Sequence, residues 1–308
     1  MKAIVQPLSA PPQATEKSQS QFGIFSELVK ARLTSLVLLT TAVGVYAGTR
    51  GAMDWMLLFN TLLGTALVAG GAAALNQLIE REHDAKMLRT EDRPLPSGKL
   101  QPETVLIFGG IISSIGLLYL ALTVNLLTSI LGIVTLLSYL FVYTPLKRVT
   151  TLNTIIGAIP GALPPLMGWT AARGEINIEG WSLFAILFFW QLPHFLAIAW
   201  MYREDYARGG YVMLPVVDPD GVRTGKQAVS HTLGLLSVSL FPVLLHLAGW
   251  IYCLGAILLG AVFLAAAIRF SRRLTMSSAR QLFFASIIYL PLLLGLMVFD
   301  KIKNLNLN

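Results

Sequence analysis

The sequence predicts an all-α integral membrane protein with nine transmembrane helices, its N-terminus in the cytoplasm and its C-terminus outside. Three observations predict this. The chain of 308 residues is 55% hydrophobic and only 13% charged, with a mean hydropathy of +0.67, well away from the quarter-charged composition of a soluble domain. Apolar segments of about 20 residues, enough to cross roughly 30 Å of hydrocarbon, recur from Ser26 to Phe299. The lysines and arginines between these segments are alternately dense and sparse.

Residues 1–25 are polar, rich in Gln, Ser and Pro. They lack an apolar core followed by a small-residue cleavage site, so they are expected to be a flexible cytoplasmic tail rather than a secretory signal. The spans are expected at 26–49, 54–80, 104–123, 125–143, 151–171, 178–201, 226–248, 250–270 and 280–299, forming one membrane domain over 26–299. Residues 300–308 then make a short outside tail. The breaks near Asn125 and Trp250 are the shortest, and fusing either pair would change the parity. Gly and Pro crowd the fifth span in IPGALPPLMGW, where they either kink the helix and widen a cavity or are simply tolerated.

With the N-terminus inside, 19 of the 23 lysines and arginines fall on cytoplasmic connections; Arg50, Arg173, Lys301 and Lys303 fall outside. That asymmetry is the positive-inside signature. The net charge of +7 is therefore a topology signal, not a nucleic-acid surface, because no solvated basic domain carries it. No ten-residue alternating pattern marks a membrane barrel. Cys253, the single cysteine, lies in an apolar run, which excludes an intrachain disulfide and a multi-cysteine metal site.

The charge arrangement places the connections around 80–103 and 202–225 on one side, able to face each other across a cavity. The first reads NQLIEREHDAKMLRTEDRPLPSG, from Asn76 to Gly98. Asn76, Glu80 and Asp84 are spaced by four, so on a helix their oxygens share one broad face, while Glu82 points elsewhere. Carboxylates at the end of an apolar span are costly unless paired, hydrated or metal-bound. Oxygen donors of this kind suit Mg2+, which uses one or two carboxylates together with substrate phosphates. The bland alternative is a solvated helix end with ion pairs to Arg81 and Lys86. Arg89, Arg93 and Lys99 follow beside the PLPSG turn, and a second basic pair, Lys147 and Arg148, sits in YTPLKR. Guanidinium groups grip phosphate oxygens bidentately and lysines add point charge, although positive-inside anchoring also accounts for each one singly.

The second connection begins WQLPHFLAIAWMYREDYARGGYVMLPVVD. On a continued helix His194 and Asp205, eleven residues apart, fall on roughly one face. Asp205 is then expected to complete a metal site opposite the first acids, with Tyr202, Arg203 and Glu204 nearby. Asp218 and Asp220, in DPDG, are expected in a solvated loop. His194 could bind a haem iron, relay protons, or hydrogen-bond within the bundle. His83 is expected to be a surface or supporting residue.

Through these segments and YTPLKRVTTLNTIIGAIPGALPPLMGW, which occur in this order, the chain resembles the UbiA-type intramembrane prenyltransferases over roughly residues 26–299. Within that superfamily it is most similar to the haem-farnesylating branch. Gln77 stands where many members have a second acid, Glu80 replaces the more usual Asp, and the second region lacks a clean D-x-x-x-D. These departures favour the haem branch over the quinone branch. The resemblance implies nine helices around a central cavity open laterally to lipid, and a Mg2+-dependent active site at the cytoplasmic face of a bacterial inner membrane. It implies transfer of the farnesyl group of farnesyl diphosphate to a vinyl group of haem B with addition of water, giving haem O.

In that scheme Asn76, Glu80, Asp84 and Asp205 are the catalytic and metal-holding residues. Arg89, Arg93, Lys147, Arg148 and Arg203 bind the diphosphate, while His194 and Tyr202 contact the haem. The implied partners are the lipid bilayer and haem-handling or oxidase-assembly proteins, with no nucleic acid. Prenylation of a quinone-precursor ring or a tetrapyrrole carboxylate is the alternative enzyme reading. A transporter is the alternative from another class; charges gathered at one face and the lack of an internal repeat count against it.

Overall fold

The computed structural model describes residues 20–302. Among them, nine helices are long and apolar enough to cross a membrane. We number these α1 (Ala31–Gly48), α2 (Trp55–Asp84), α3 (Pro102–Thr123), α4 (Leu126–Leu146), α5 (Asn153–Arg173), α6 (Ile178–Met201), α7 (Val222–Leu244), α8 (Trp250–Arg273) and α9 (Met276–Phe299). The only β-type pairing among the described residues is an isolated bridge between Ala248 and Lys301. The spanning segments are thus helical, the form that pairs most backbone N–H and C=O groups within one segment, as a hydrocarbon surrounding demands.

Most boundaries differ from the sequence expectation by a few residues, and at three of them a local reason is visible. The segment preceding α1 is a separate short helix, Gln21–Leu28, capped by the Ser20 hydroxyl, which accepts from Gly23 N; the last residues of the expected tail are thus helical, while residues 1–19 of that tail lie outside the described residues. Lys30 then adopts φ 49°, a left-handed conformation costing about 1–2 kcal/mol for a side chain with a Cβ, and this ends the short helix. α2 runs to Asp84, a turn beyond the expected 54–80. At 1.5 Å per residue it measures about 45 Å, so its polar end clears the hydrocarbon. α7 starts at Val222 because Asp218 Oδ2 accepts from Thr224 N (2.7 Å) and Thr224 Oγ1 (2.8 Å). Asp218 is consequently buried rather than solvated, contrary to the expectation from DPDG, whereas Asp220 is exposed.

Small residues set the packing, as is usual where lipid leaves no hydrophobic drive between helices. α1 and α5 cross at Gly44 and Gly168; a Cβ on Gly168 would lie 2.0 Å from Thr41 O, and one on Gly44 2.1 Å from Pro165 O. The three prolines of α5 are accommodated in one continuous helix. On the other side, α6, α7, α8 and α9 enclose a core containing Trp190, Tyr252, Phe263, Phe270 and Tyr289. α4 carries a π-helical segment, Ser138–Tyr143, just before its end; such wide turns re-aim side chains and recur at functional sites.

Candidate active site

The regular helix of α2 presents Asn76, Glu80 and Asp84 on one inward face, each buried to 3% exposure or less. Buried charges are strongly destabilising unless paired, and here each rung of the ladder meets one cation. Lys30 Nζ donates to Asn76 Oδ1 at 2.8 Å, Lys147 Nζ to Glu80 Oε1 at 2.7 Å, and Arg93 Nη1 to Asp84 Oδ2 at 2.7 Å. These three cations come from before α1, after α4 and the first polar connection, so the site ties distant segments together. Glu82, off the ladder, is exposed. The solvated helix end with ion pairs from Glu80 and Asp84 to Arg81 and Lys86 does not form; Arg81 instead approaches Glu82 at 3.8 Å.

Lys30 was legible only as a topology charge in the sequence. Its left-handed backbone turns the ammonium inward, and burial, then repulsion from Arg93, lowers its pKa to about 7 despite the attraction of Glu80. Lys147 is also buried; desolvation opposes its charge most strongly, but the Glu80 carboxylate together with Tyr143, Tyr139 and Tyr211 holds its pKa well above the ordinary lysine value. Its ammonium also sits 4.6 Å from the ring centroid of Tyr143, which the π-helical segment positions. Asn76 Nδ2 donates to Thr144 Oγ1 at 3.1 Å, fixing the amide so that its oxygen faces Lys30.

Asp205 is arranged otherwise. α6 ends at Met201, and a new short helix, Arg203–Arg208, begins after Tyr202, so His194 and Asp205 do not share a continuous helical face. Asp205 Oδ1 accepts from Leu88 N (2.9 Å) and Arg208 Nη2 (2.9 Å), and Oδ2 from Arg89 N (3.2 Å). It clamps the first polar connection to the second, and does not join Glu80 and Asp84 in a three-carboxylate group. His83 strengthens the clamp through Nδ1 and Gly209 O at 2.7 Å. Val212 N donates to Lys147 O at 2.7 Å, and Asn153 Nδ2 to Val212 O at 2.9 Å, which brings all three connections to one face.

The remaining expected residues separate. Arg89 is exposed and lies over the Tyr202 and Tyr206 rings, 5.2 and 5.5 Å from their centroids. Arg148 Nη2 donates to Ile79 O at 3.1 Å, at the back of α2. Arg203 stacks on Trp200 at 4.6 Å and makes no ion pair with the ladder. His194 is deeper, its Nδ1 2.7 Å from Ser286 Oγ, with Trp190 and Phe283 stacked on its ring at 5.0 and 5.1 Å.

A family model described as the UbiA prenyltransferase family matches residues 37–288. The chain belongs to this family. It is 49% identical to a protoheme IX farnesyltransferase of Solibacter usitatus (strain Ellin6076), over 90% of this chain and 98% of that one. It is 44% identical to a protein of the same name from Koribacter versatilis (strain Ellin345), over 98% and 99%, and 41% identical to the mitochondrial protoheme IX farnesyltransferase of Homo sapiens, over 91% and 62%. Among solved structures, a digeranylgeranylglyceryl phosphate synthase superposes with a TM-score of 0.77 at 17% identity, covering 92% of this chain and 99% of that one. A UbiA homologue from Archaeoglobus fulgidus bound to GPP and Mg2+ gives 0.62 at 15% identity, covering 89% and 99%. These two likenesses bear on the fold.

For this UbiA-family prenyltransferase, the donor set decides what ion it could take. Among the described residues no three of His, Cys, Asp and Glu form a cage. Asp84 Oδ1, however, is buried with no hydrogen-bond partner, a vacant acceptor beside an engaged one. A hard cation that uses one or two carboxylates and completes its shell with water and phosphate oxygens fits such a set. Sequence reasoning missed Lys30, Arg208, Asn153 and Tyr143. Only the apolar flanks of Lys30 hinted that its charge would be buried.

Proposed function

We propose that this chain transfers the farnesyl group of farnesyl diphosphate to a vinyl group of haem B with addition of water, giving haem O for terminal oxidases. The observation that carries the substrate reading is the match to proteins named protoheme IX farnesyltransferase at up to 49% identity along nearly their whole length. The ladder with one cation per rung supports the chemistry.

In this reading Asp84 and Glu80, with Asn76 beside them, would hold Mg2+ against the diphosphate. When bound, the ion supplies Lewis-acid stabilisation of charge on the leaving group. Lys30, Lys147 and Arg93 each donate to one ladder side chain, so rotamer changes would let them turn from the ladder to diphosphate oxygens. Their charges then favour the state in which the C–O bond breaks and negative charge grows on the departing diphosphate. Arg89 and Arg148 add positive potential at the rim. The allylic cation is attacked by the terminal vinyl carbon of haem, and the cation next to the porphyrin captures water, which gives up a proton to the released diphosphate or to solvent to leave the hydroxyl, so no side-chain nucleophile is required. Asp205 acts by holding Leu88 and Arg89 in place, and His194, in its aromatic stack, is the residue proposed to face haem. The site opens to the cytoplasm of a bacterial inner membrane in this reading, as the lysine and arginine distribution supports.

The test is incubation of purified protein with farnesyl diphosphate, Mg2+ and an equimolar mixture of haem B and a quinone-precursor ring, followed by mass analysis. A gain of farnesyl plus water is expected. Farnesylation of a quinone-precursor ring with haem B untouched would overturn the acceptor, and no transfer to either would overturn the activity.

A further inference from the structure

The face opposite the ladder is poor in cations, yet the three described there converge. Arg50 follows α1, Arg173 ends α5 and Lys301 follows α9, and all three line one cavity of about 410 Å³ together with Tyr46, Trp169 and a single carboxylate, Glu179. Lys301 Nζ donates to Tyr46 O (2.5 Å) and Thr49 O (2.7 Å) and lies 4.6 Å from the Tyr46 ring centroid, which fixes the ammonium at the wall. The Arg173 guanidinium sits 5.7 Å from the Trp169 ring centroid, its side chain 12% exposed, with only Glu175 within ion-pair range at 3.8 Å.

Two donors stand idle: Arg173 Nε and Trp169 Nε1 are both buried without a hydrogen-bond partner. Each such group costs about 1–3 kcal/mol, and folded proteins rarely leave them so. Burial, and then the Arg173 charge, lower the pKa of Lys301, as expected for cations brought together with too little negative charge between them. Trp55, Trp181 and Trp250 are exposed at the N-terminal ends of α2, α6 and α8, all at this face. Exposed tryptophans of this kind sit at headgroup depth.

We infer that this cavity is an anion site that takes a phosphate group through Arg50, Arg173 and Lys301, supplied by a phospholipid headgroup or by free phosphate. It lies a membrane thickness from the ladder and is independent of the farnesyl-transfer reading.

The test uses full-length protein stripped of lipid in detergent. Phosphatidylglycerol, diacylglycerol and inorganic phosphate are each titrated, with native mass spectrometry and the shift in Tm as readouts. Retention of a phosphate-bearing ligand with a raised Tm is expected, about tenfold weaker in Arg173→Gln and in Arg50→Gln, since each removes a charge-assisted contact. Arg50 is exposed, so its variant keeps the test open if Arg173→Gln fails to fold. Phosphatidylglycerol bound without competition from phosphate identifies the lipid as source; competition by phosphate identifies the free ion as sufficient. Diacylglycerol binding as tightly as phosphatidylglycerol, absence of binding by both phosphate-bearing ligands, or unchanged affinity in both variants overturns the inference.

Discussion

Two acidic regions meet at one face of this molecule, and their carboxylates are bound by different kinds of donor. Glu80 and Asp84 are held by the side chains of Lys147 and Arg93, and Asp84 keeps one oxygen without a partner. Asp205 gives its oxygens to the backbone N–H groups of Leu88 and Arg89 and to Arg208. A side-chain cation can turn to an incoming anion by changing rotamer, whereas a backbone N–H leaves only if the chain itself moves. The ladder is therefore exchangeable and the Asp205 set is a fixed clamp.

The largest expected effect tests the exchangeable half. Asp84→Asn removes the charge facing the proposed ion while keeping the shape, and farnesyl transfer should fall by about 10²- to 10³-fold with the protein still inserted in the membrane. Chelation of divalent metal should reduce the wild type to a similar level without lowering its Tm. Turnover of Asp84→Asn within a few-fold of wild type would remove the ladder from the chemistry.

The nine spans and the common face of the two connections were legible because hydropathy and charge asymmetry are properties of whole segments. The spacing of Asn76, Glu80 and Asp84 was legible for a similar reason, since helical period fixes it. The cation partners were not. Lys30 reaches Asn76 only because a left-handed residue breaks the helix before α1, and Lys147 reaches Glu80 from 67 residues away. The common face expected for His194 and Asp205 does not form, because the helix expected to continue past Tyr202 stops there. Asp218 looked solvated because DPDG marks a turn but does not show what covers it.

Next in size is Lys147→Gln, which leaves Glu80 buried without its cation. Loss of one member of a buried pair costs about 3–5 kcal/mol, so Tm should drop clearly and KM for farnesyl diphosphate should rise. Glu80→Gln combined with Lys147→Gln should recover much of the Tm without recovering turnover. Recovery of both would mean that the pair serves stability alone.

The clamp should respond more mildly and in a different observable. Asp205→Asn retains one acceptor oxygen, so kcat for farnesyl transfer should change by less than about tenfold, within the range of a lost charge-assisted hydrogen bond. Hydrogen exchange at the Leu88 and Arg89 amides should quicken as the connection loosens. If Asp205→Asn instead matches Asp84→Asn in lost turnover and altered Mg2+ dependence, the distinction between ladder and clamp fails.

The smallest effect belongs to an acid outside both regions. Asp218 caps the first turn of α7 through Thr224 N and Thr224 Oγ1, satisfying an N–H that the helix itself leaves open. Asp218→Ala should cost about 1 kcal/mol, the usual loss for such a cap, read as a small fall in Tm. Turnover and KM should stay at wild-type values, because neither Asp218 oxygen contacts the ladder or the clamp. A loss of turnover larger than the loss of stability would show that the start of α7 positions the second polar connection, and the clamp would then have to include Asp218 beside Asp205.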